Sequence, residues 1–394
     1  MRIALLAPLP PERNGIADYA NHFRAALEQN GVQVLTPLAG CPATSDALQA
    51  RLDAFDWNGV DLVHAELGGG RLIEFQALQR LRQRFPRLPL TATVHDPERL
   101  VWRRARMPWP LAWAQRLPSP FPQAATLLCD PLTLSEERRL AAGLTRLITL
   151  TRLGGECLAK RMRLAPGQLA VIAHGNLDIA AAPPPPLEPL RLLYFGFIYR
   201  GKGIEDLLSA MAKVFERQPA LRERLSLTLA GGTAAEMAFG GHGDYLQQLQ
   251  ALIAELKLGA SIQWRLDLPA EEIPALIQAH HALVLPYRES KKLSLLGAQR
   301  GTSGALSWAA ACGRGAITSD ARAFAEEVAE GNGAIFPQGD VDALADRLET
   351  LARHPELALS WAERAGEIGH ERRWTETARR FKQVFADACA RSAA

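Results

Sequence analysis

Two cations in a glycine-rich turn are the first candidates for chemistry in this chain. Residues 193–203 read LYFGFIYRGKG, so Arg200 and Lys202 follow an apolar strand and precede an amphipathic helix predicted at 204–215. The free N–H groups and positive dipole end of a helix N-terminus favour a bound anion, which Arg or Lys neutralises. The turn therefore predicts a phosphate site. The alternative is a solvated turn whose cations hold no ligand.

Further polar residues follow predicted strands in the first half. His95 and Asp96 come at the end of an apolar strand, Glu66 follows residues 62–65, and His174 follows residues 169–173. The carboxyl ends of parallel strands are where ligands bind, so these positions favour a functional role. The alternatives are a hydrogen-bonded core histidine at His95, a domain-closing histidine at His174 and a solvated loop carboxylate at Glu66.

Two turns of small residues precede predicted helices. Asn14 and Gly15 stand before the first helix, and residues 301–304, GTSG, stand before a helix predicted at 305–312. Small residues and hydroxyl groups at a helix N-terminus leave room for an anion. An ordinary Asn-Gly turn and an N-cap by Thr302 or Ser303 are the alternatives.

The elements that must position these residues alternate between strand and helix, which argues for a doubly wound α/β fold with parallel sheets. The 394 residues suffice for two domains. We predict a first domain at 1–178, a Pro-rich linker at 179–189, a second domain at 190–370 and a C-terminal helix at 371–394 that packs back on the first domain. The predicted strands of the first half are 2–9, 32–36, 62–65, 90–95, 126–129, 147–150 and 169–173. Those of the second half are 190–197, 225–230, 262–266, 282–286, 316–318 and 334–336.

Composition narrows the class of protein. A net charge of +3 gives no support for nucleic-acid binding by the molecule as a whole. The five cysteines are odd in number and form no CxxC pair, which fits a reducing compartment and indicates neither a disulfide framework nor a metal site. The chain opens directly on an apolar strand, without a leader of signal-peptide form or a membrane-spanning run, so we expect a cytoplasmic protein.

Short motifs along nearly the whole chain, in a specific order, resemble one family. They are PPERNGIADY at 10–19, VHD at 94–96, IAHG at 172–175, the turn at 196–203, LVLPYR at 283–288, residues 302–313, EEV at 326–328 and PQGD at 337–340. With these motifs the chain resembles the GT-B glycosyltransferases, and specifically the retaining family-4 (group 1) enzymes. The resemblance implies two Rossmann-like domains that face one another across a cleft, the first for the acceptor and the second for a nucleoside diphosphate sugar.

The resemblance also implies roles for individual residues. Lys202 and Arg200 neutralise the leaving diphosphate, and His95 lies against the transferred sugar; with Glu289 they are the predicted catalytic residues. The residues predicted to bind the donor are Asn14, Gly15, His174, Gly196, Arg200, Lys202, Gly301, Thr302, Ser303, Gly304 and Glu327, with Glu326 as the alternative to Glu327 and a helix-face charge as the alternative for both. The residues predicted to bind the acceptor are Glu66, Asp96, Trp102 and Arg103.

The sequence departs from the family pattern at two glutamates. These paired glutamates, eight positions apart, fall on Arg300 and Trp308 when Gly313 anchors the alignment. Neither replacement accepts hydrogen bonds as a carboxylate does, which puts the ribose contact and the positioning of the sugar in doubt. Glu289, ahead of an insertion at 290–299, is the candidate substitute. A third departure is Phe197, where the family usually places its arginine.

A basic, aromatic segment at 99–121 contains five arginines, three tryptophans and no acidic residue. Arginine for anionic head groups and tryptophan for the head-group boundary are typical of membrane-interface segments. We therefore expect peripheral membrane contact, at the inner face of the cytoplasmic membrane. The alternative is a loop that packs on its domain and binds the acceptor in solution.

The resemblance implies a metal-independent retaining glycosyltransferase with no cofactor, which moves a sugar from a nucleoside diphosphate sugar to a glycan or lipid-linked acceptor in surface polysaccharide assembly. Two alternatives stay open. A GT-B epimerase of nucleotide sugars would share the fold, and a non-catalytic partner subunit that binds nucleotide sugars would explain Arg300 and Trp308.

Overall fold

A computed structural model describes residues 1–12, 14–101, 107–109, 111–232, 245–289 and 294–393. The chain divides into two compact units. Unit 1 comprises Met1–Gly175, Lys291–Thr302 and Trp374–Ala394, and unit 2 comprises Asn176–Ser290 and Ser303–Arg373. The divisions between the units fall after Gly175, Ser290, Thr302 and Arg373. A short segment from the second half of the chain belongs to unit 1.

Unit 1 contains a six-stranded parallel sheet with the order β2-β1-β3-β4-β5-β6. Its strands are β1 (Arg2–Leu6), β2 (Gln33–Leu35), β3 (Leu62–Leu67), β4 (Leu90–Val94), β5 (Arg146–Thr149) and β6 (Leu169–Val171). Its first helices are α1 (Gly15–Gln29), α2 (Ser45–Ala54), α3 (Ile73–Arg84), α4 (Phe121–Ala141) and α5 (Arg152–Met162). Strands β3 and β4 are buried along their whole length, as expected for strands covered on both faces.

The strand predicted at 126–129 is wrong, because these residues lie inside the helix α4. A short apolar run does not by itself distinguish a strand from a helix. Here the buried residues recur at helical spacing, at Ala125, Cys129, Thr133 and Glu137.

Unit 2 contains a second six-stranded parallel sheet, with the order β12-β11-β10-β7-β8-β9. Its strands are β7 (Leu190–Phe195), β8 (Leu225–Gly231), β9 (Ile262–Leu266), β10 (Ala282–Leu285), β11 (Gly315–Ser319) and β12 (Gly333–Phe336). Its helices are α6 (Ile204–Arg217), α7 (Tyr245–Glu255), α8 (Ile273–Gln278), α9 (Gly304–Ala311), α10 (Phe324–Val328), α11 (Val341–Arg353) and α12 (Leu357–Glu371). The predicted doubly wound α/β fold is confirmed.

The strand order reverses once in each sheet, between β1 and β3 in unit 1 and between β7 and β10 in unit 2. In open α/β sheets, ligands bind outside the carboxyl ends of the strands at such a switch point. The residues after β1 and at the end of β3 include Asn14, Gly15 and Glu66. The loop after β7 carries Lys202. The topology therefore places these candidate residues at the ligand-binding edge of each sheet.

The C-terminal helix α13 (Trp374–Ala393) packs on α1 within unit 1. The ring of Phe381 lies 4.5 Å from that of Phe23, and the rings of Phe381 and Phe385 lie 5.7 and 5.0 Å from His64. The helix therefore covers the sheet beside His64. Among the described residues, no helix has the length and apolar character needed to cross a bilayer.

We expect Phe381→Ala to destabilise the protein by about 3–5 kcal/mol, since it removes a fully buried ring between α1 and α13. Gln383→Ala, on the exposed side of the same helix, should change the free energy of unfolding by less than about 0.5 kcal/mol. Urea unfolding followed by tryptophan fluorescence measures both. Equal effects of the two substitutions would contradict the packing described for α13.

Candidate functional site

The turn between β7 and α6 is shaped by Gly203. Its φ is +70°, and a Cβ atom there would lie 1.7 Å from the carbonyl oxygen of Pro286. Only glycine fits this position, because both the backbone conformation and the space exclude a side chain. Gly203 is also the N-cap of α6, and no described side chain caps that helix end. The first N–H groups of α6 are thus left without a side-chain acceptor at the switch point.

Lys202 is a buried cation at this helix end. Its side chain is only 8% exposed, and Nζ lies 3.7 Å from the centroid of the Tyr287 ring and 5.0 Å from that of Tyr199. Burial, together with the charge of Arg322, lowers the pKa of Lys202 to about 8. No carboxylate of the described residues forms an ion pair with it. A buried charge without an opposite charge is costly, so this arrangement is suited to an anionic ligand.

Two further side chains, Arg322 and Ser303, lie beside Tyr287, which follows β10, and Glu289 contacts Arg322. The Arg322 guanidinium lies 5.5 Å from the Tyr287 ring centroid, and the Tyr287 hydroxyl is 3.3 Å from Ser303 Oγ. Glu289 Oε1 accepts a hydrogen bond from the Arg322 backbone N–H at 3.0 Å. The structure therefore brings together Lys202, Ser303 and Glu289, which were predicted, with Tyr287 and Arg322, which were not assigned a role. The sequence signal available for Tyr287 and Arg322 was their position after a strand, since Tyr287 follows β10 and Arg322 follows β11.

The other predicted donor residues of unit 2 have different surroundings. A Cβ atom at Gly196 would lie 3.4 Å from the Tyr287 hydroxyl, so this glycine adjoins the Tyr287 cluster. Arg200 is exposed, donates a hydrogen bond to Gln248 and lies over the Tyr245 ring of α7. Glu327 is buried, which raises its pKa against the opposing effect of Arg372, its ion-pair partner at 2.9 Å.

In unit 1, Glu66 and His95 are hydrogen-bonded to each other. Glu66 is fully buried at the end of β3, and its Oε2 lies 2.8 Å from His95 Nε2, just after β4. His64 Nε2 lies 3.2 Å from the other oxygen, Oε1. Burial alone would raise the pKa of Glu66, but His64 and His95 outweigh it and lower the pKa to about 2. Glu66 is therefore an ionised carboxylate inside unit 1.

Tyr19 of α1 joins His95 to His174. The Tyr19 ring centroid lies 4.7 Å from that of His95 and 5.0 Å from that of His174, both in edge-on geometry. His174 Nδ1 is 2.7 Å from the carbonyl oxygen of Gly175. Trp374, 4.9 Å from Tyr19, completes the group. Two predicted site residues of unit 1, His95 and His174, are thus neighbours around one aromatic ring.

The loop residues beside His95 make local hydrogen bonds. Asn14 caps α1, since its Oδ1 accepts from Ile16 N at 3.1 Å and from Ala17 N at 2.9 Å. A Cβ atom at Gly15 would meet nothing within 4 Å. Asp96 Oδ2 accepts from the backbone N–H of Gly69 at 2.8 Å. The capping role of Asn14 and a ligand-binding role for the open space at Gly15 do not exclude each other.

The predicted turn at 301–304 spans the division between the units, which falls after Thr302. A Cβ atom at Gly301 would lie 2.2 Å from the carbonyl oxygen of His95, so Gly301 packs directly on that residue. Ser303 caps α9 by accepting from Ala305 N at 3.3 Å, whereas Gly304 is exposed. Thr302 is half-buried at the unit boundary.

The two residues that replace the family's glutamates lie in different units. Arg300 belongs to unit 1, where its Nε is 3.5 Å from Glu98 Oε1 and its carbonyl accepts from Thr151 at 3.0 Å. Trp308 belongs to unit 2, with its ring 6.4 Å from that of Phe195.

Arg99, predicted as part of the basic membrane segment, is a buried structural residue. Its Nε donates to Glu137 at 2.6 Å and its Nη1 to Asp130 at 2.5 Å, both on α4. Its charge is satisfied inside unit 1, so the expectation that Arg99 faces lipid is wrong. The predicted acceptor residues Trp102 and Arg103 lie outside the described residues. Within the described ranges, no three His, Cys, Asp or Glu side chains are grouped as metal ligands.

Comparisons with known proteins show similarity to one family over part of the chain. Residues 178–367 match the family model of the glycosyl transferases group 1. A D-inositol 3-phosphate glycosyltransferase of Frankia alni is 28% identical over 268 residues, covering 63% of this chain and 60% of that protein. The corresponding protein of Streptomyces bingchenggensis is 28% identical, covering 58% of this chain and 46% of its own length. The chain thus spans about half to three fifths of these relatives.

Solved structures of similar fold span the full length of the chain. Sucrose-phosphate synthase from Thermosynechococcus elongatus has a TM-score of 0.71 at 19% identity, covering 99% of both chains. Anabaena HepE, solved in complex with UDP, has a TM-score of 0.68 at 17% identity, covering 98% of this chain and all of that one. Residues 178–367 thus match the group 1 glycosyl transferases, and the whole chain shares the fold of these solved structures.

Proposed function

We propose that this protein transfers a sugar from a nucleoside diphosphate sugar to an acceptor hydroxyl. The observation that carries the proposal is Lys202, a buried cation at the N-terminus of α6 without a carboxylate partner among the described residues. A diphosphate supplies the missing negative charge, and charge-assisted hydrogen bonds from lysine and helix N–H groups hold it. The group 1 family match over 178–367 covers this turn and supports the same conclusion.

In the proposed reaction, negative charge grows on the diphosphate as the glycosidic bond breaks. Lys202 and the α6 amides stabilise that charge, and Arg322 adds a second cation on the Tyr287 ring. His95 contacts the transferred sugar. The acceptor hydroxyl attacks on the face from which the nucleotide departs, and the leaving phosphate takes the proton, so the anomeric configuration is retained. Protein cations take the place of a metal ion in this scheme.

The donor and the acceptor are further parts of the proposal. HepE was solved with UDP, and in another complex with UDP-glucose, which makes a UDP-sugar a suitable first donor to test. For the acceptor we propose a glycan or a lipid-linked glycan, in surface polysaccharide assembly. Glu66 was predicted to bind the sugar acceptor. Its burial behind His95 supports an indirect role, in which it does not contact the acceptor itself.

Exposed apolar residues support membrane contact by unit 1. The exposed side of α4 includes Phe121, Leu128 and Leu132, which lie on one face by helical spacing. Leu128 is 72% exposed. The 3-10 turn Leu111–Arg116 packs on α4 and carries exposed Trp113 and Arg116. Apolar and aromatic groups beside an arginine suit an anionic bilayer surface.

Lys202→Met should weaken binding of the nucleoside diphosphate by about 10- to 100-fold, because it removes a charge-assisted hydrogen bond. The unliganded variant should be at least as stable as the wild type at pH 7, since an uncompensated buried charge is lost. Isothermal titration calorimetry and thermal unfolding measure the two effects. Lys213→Met is the matched control, because Lys213 lies on the same helix but is partly exposed and paired with Asp342. Unchanged affinity in Lys202→Met would contradict the proposed site.

Nucleotide affinity should fall as the pH rises through about 8, where unliganded Lys202 loses its proton. Only the protonated amine attracts the diphosphate, so the affinity is highest below that pH. Lys202→Met should show no such decrease over the same range. Calorimetric titrations at pH 6.5 to 9.5 measure this, and a flat profile in the wild type would contradict the assignment.

A panel of UDP-, GDP-, dTDP- and ADP-sugars should contain a donor that raises the melting temperature, because a ligand that binds only the native state stabilises it. Turnover of that donor is then measured with and without glycan acceptors. Binding without turnover would favour the non-catalytic partner subunit, and an epimerised sugar without acceptor would favour the epimerase.

The wild type should co-sediment with vesicles that contain phosphatidylglycerol and less with neutral phosphatidylcholine vesicles. Trp113→Ser combined with Leu128→Ser should lower the bound fraction, whereas Leu359→Ser, an exposed leucine of unit 2, should not. Equal recovery of the wild type in the supernatant with and without anionic vesicles would end the membrane proposal.

A further inference from the structure

A buried pair of polar residues lies behind His95 in unit 1. His64 and Glu66 are both fully buried and, two residues apart on β3, point to the same face of the sheet. Aromatic rings cover His64, with Phe23 at 5.6 Å and Phe385 at 5.0 Å. Polar and charged groups in such a setting are costly unless they are paired. Packing alone therefore does not explain why His64 and Glu66 are buried here.

The hydrogen bonds of His64 show that its Nδ1 carries a hydrogen. Thr91 Oγ1 donates to the carbonyl oxygen of Val63 at 3.2 Å, so its lone pair accepts from His64 Nδ1 at 2.9 Å. His64 Nε2 then faces two oxygens, Thr93 Oγ1 at 3.0 Å and Glu66 Oε1 at 3.2 Å. A hydrogen on Nε2 would bridge toward both. Without one, the nitrogen lone pair would oppose a carboxylate oxygen that has no other hydrogen bond with the described residues.

The hydrogen bond between Glu66 and His95 fixes the second imidazole. An ionised carboxylate only accepts, so at 2.8 Å the His95 Nε2 must carry the hydrogen. In a neutral imidazole the other nitrogen, Nδ1, is then an acceptor. The edge-on contact with Tyr19 at 4.7 Å and the packing of Gly301 on the His95 carbonyl hold the residue in place.

We propose that Glu66 and His64 form a positioning pair that holds His95 as the Nε2–H tautomer and leaves its Nδ1 as the acceptor for a substrate hydroxyl. This rests on the proposed function, in which His95 contacts the transferred sugar. His64 anchors the carboxylate through Thr91 and Thr93, and the carboxylate orients His95. Neither residue touches substrate. Glu66 is thus assigned a positioning role in place of direct contact with the acceptor.

The hydrogen-bond acceptor of His95 Nε2 stays ionised, and the neighbouring phenol stays neutral. The titratable groups in contact with its ring are Glu66 of β3 and Tyr19 of α1, and His174 lies against Tyr19. Burial raises the pKa of Tyr19 well above its usual range, so it stays neutral. The pKa of Glu66 is about 2, so it stays ionised. Glu66 is therefore present as the acceptor for His95 Nε2–H.

The direct test is a long-range ¹H–¹⁵N correlation spectrum of histidine-labelled protein, with His95→Gln used to assign the signals. The wild type should show His95 protonated at Nε2. Glu66→Leu removes the acceptor and should leave His95 as a mixture of tautomers, and Glu66→Gln, whose amide oxygen still accepts, should restore the Nε2–H form. Glu74→Leu, which removes another buried carboxylate of unit 1, should leave the His95 tautomer unchanged. Thermal unfolding identifies any variant that fails to fold.

An activity readout separates this inference from the proposed function. With UDP-glucose as the probe, Glu66→Leu should lower kcat at least about tenfold, and Glu66→Gln should recover much of it. If the wild type releases no UDP, either the choice of donor or the proposed function is wrong. The spectrum still tests the His95 tautomer in that case. A wild-type His95 protonated at Nδ1, or a spectrum of folded Glu66→Leu identical to that of the wild type, would overturn the positioning role.

Discussion

The buried charge of Lys202 is the interaction on which the rest of the candidate site depends. An amine that is nearly excluded from water and lacks a carboxylate partner among the described residues lowers the stability of the unliganded protein. Such a cost is typical of functional sites, where a ligand supplies the missing partner. Gly203 permits the tight turn, Tyr287 provides a ring face for the cation, and α6 adds its N-terminal amides. Each of these features positions one positive charge at the sheet's switch point.

The buried charge of unit 1 is a carboxylate that has partners inside the protein. Glu66 is more deeply buried than Lys202, yet two imidazoles neighbour its carboxylate and keep it ionised. Both carboxylate oxygens have an imidazole nitrogen within 3.2 Å inside the protein, so this group is suited to orienting a neighbour and not to binding a ligand. The two sheets thus carry different groups on related scaffolds. One has a buried cation without a carboxylate partner among the described residues, and the other has a carboxylate paired with imidazoles.

Much of the fold could be predicted because the alternation of strands and helices is a local pattern. Lys202 could be found for the same reason, since a strand, a glycine-rich turn and a helix are contiguous in sequence. Arg322 also follows a strand, but its contact with Tyr287 depends on the pairing of β10 with β11, which no local pattern specifies. Arg99 was misassigned as a surface cation because its partners, Glu137 and Asp130, come from a helix later in the chain. The pairing of Glu66 with His95 depends on the register of β3 against β4, which no local pattern specifies.

The central claim is that Lys202 holds the diphosphate of a nucleotide sugar. A crystal structure of the protein with a bound nucleoside diphosphate tests it most directly. The account predicts a phosphate oxygen about 2.8 Å from Lys202 Nζ, with the diphosphate at the N-terminus of α6. A diphosphate bound elsewhere on the molecule, with Lys202 remote from every phosphate oxygen, would contradict it.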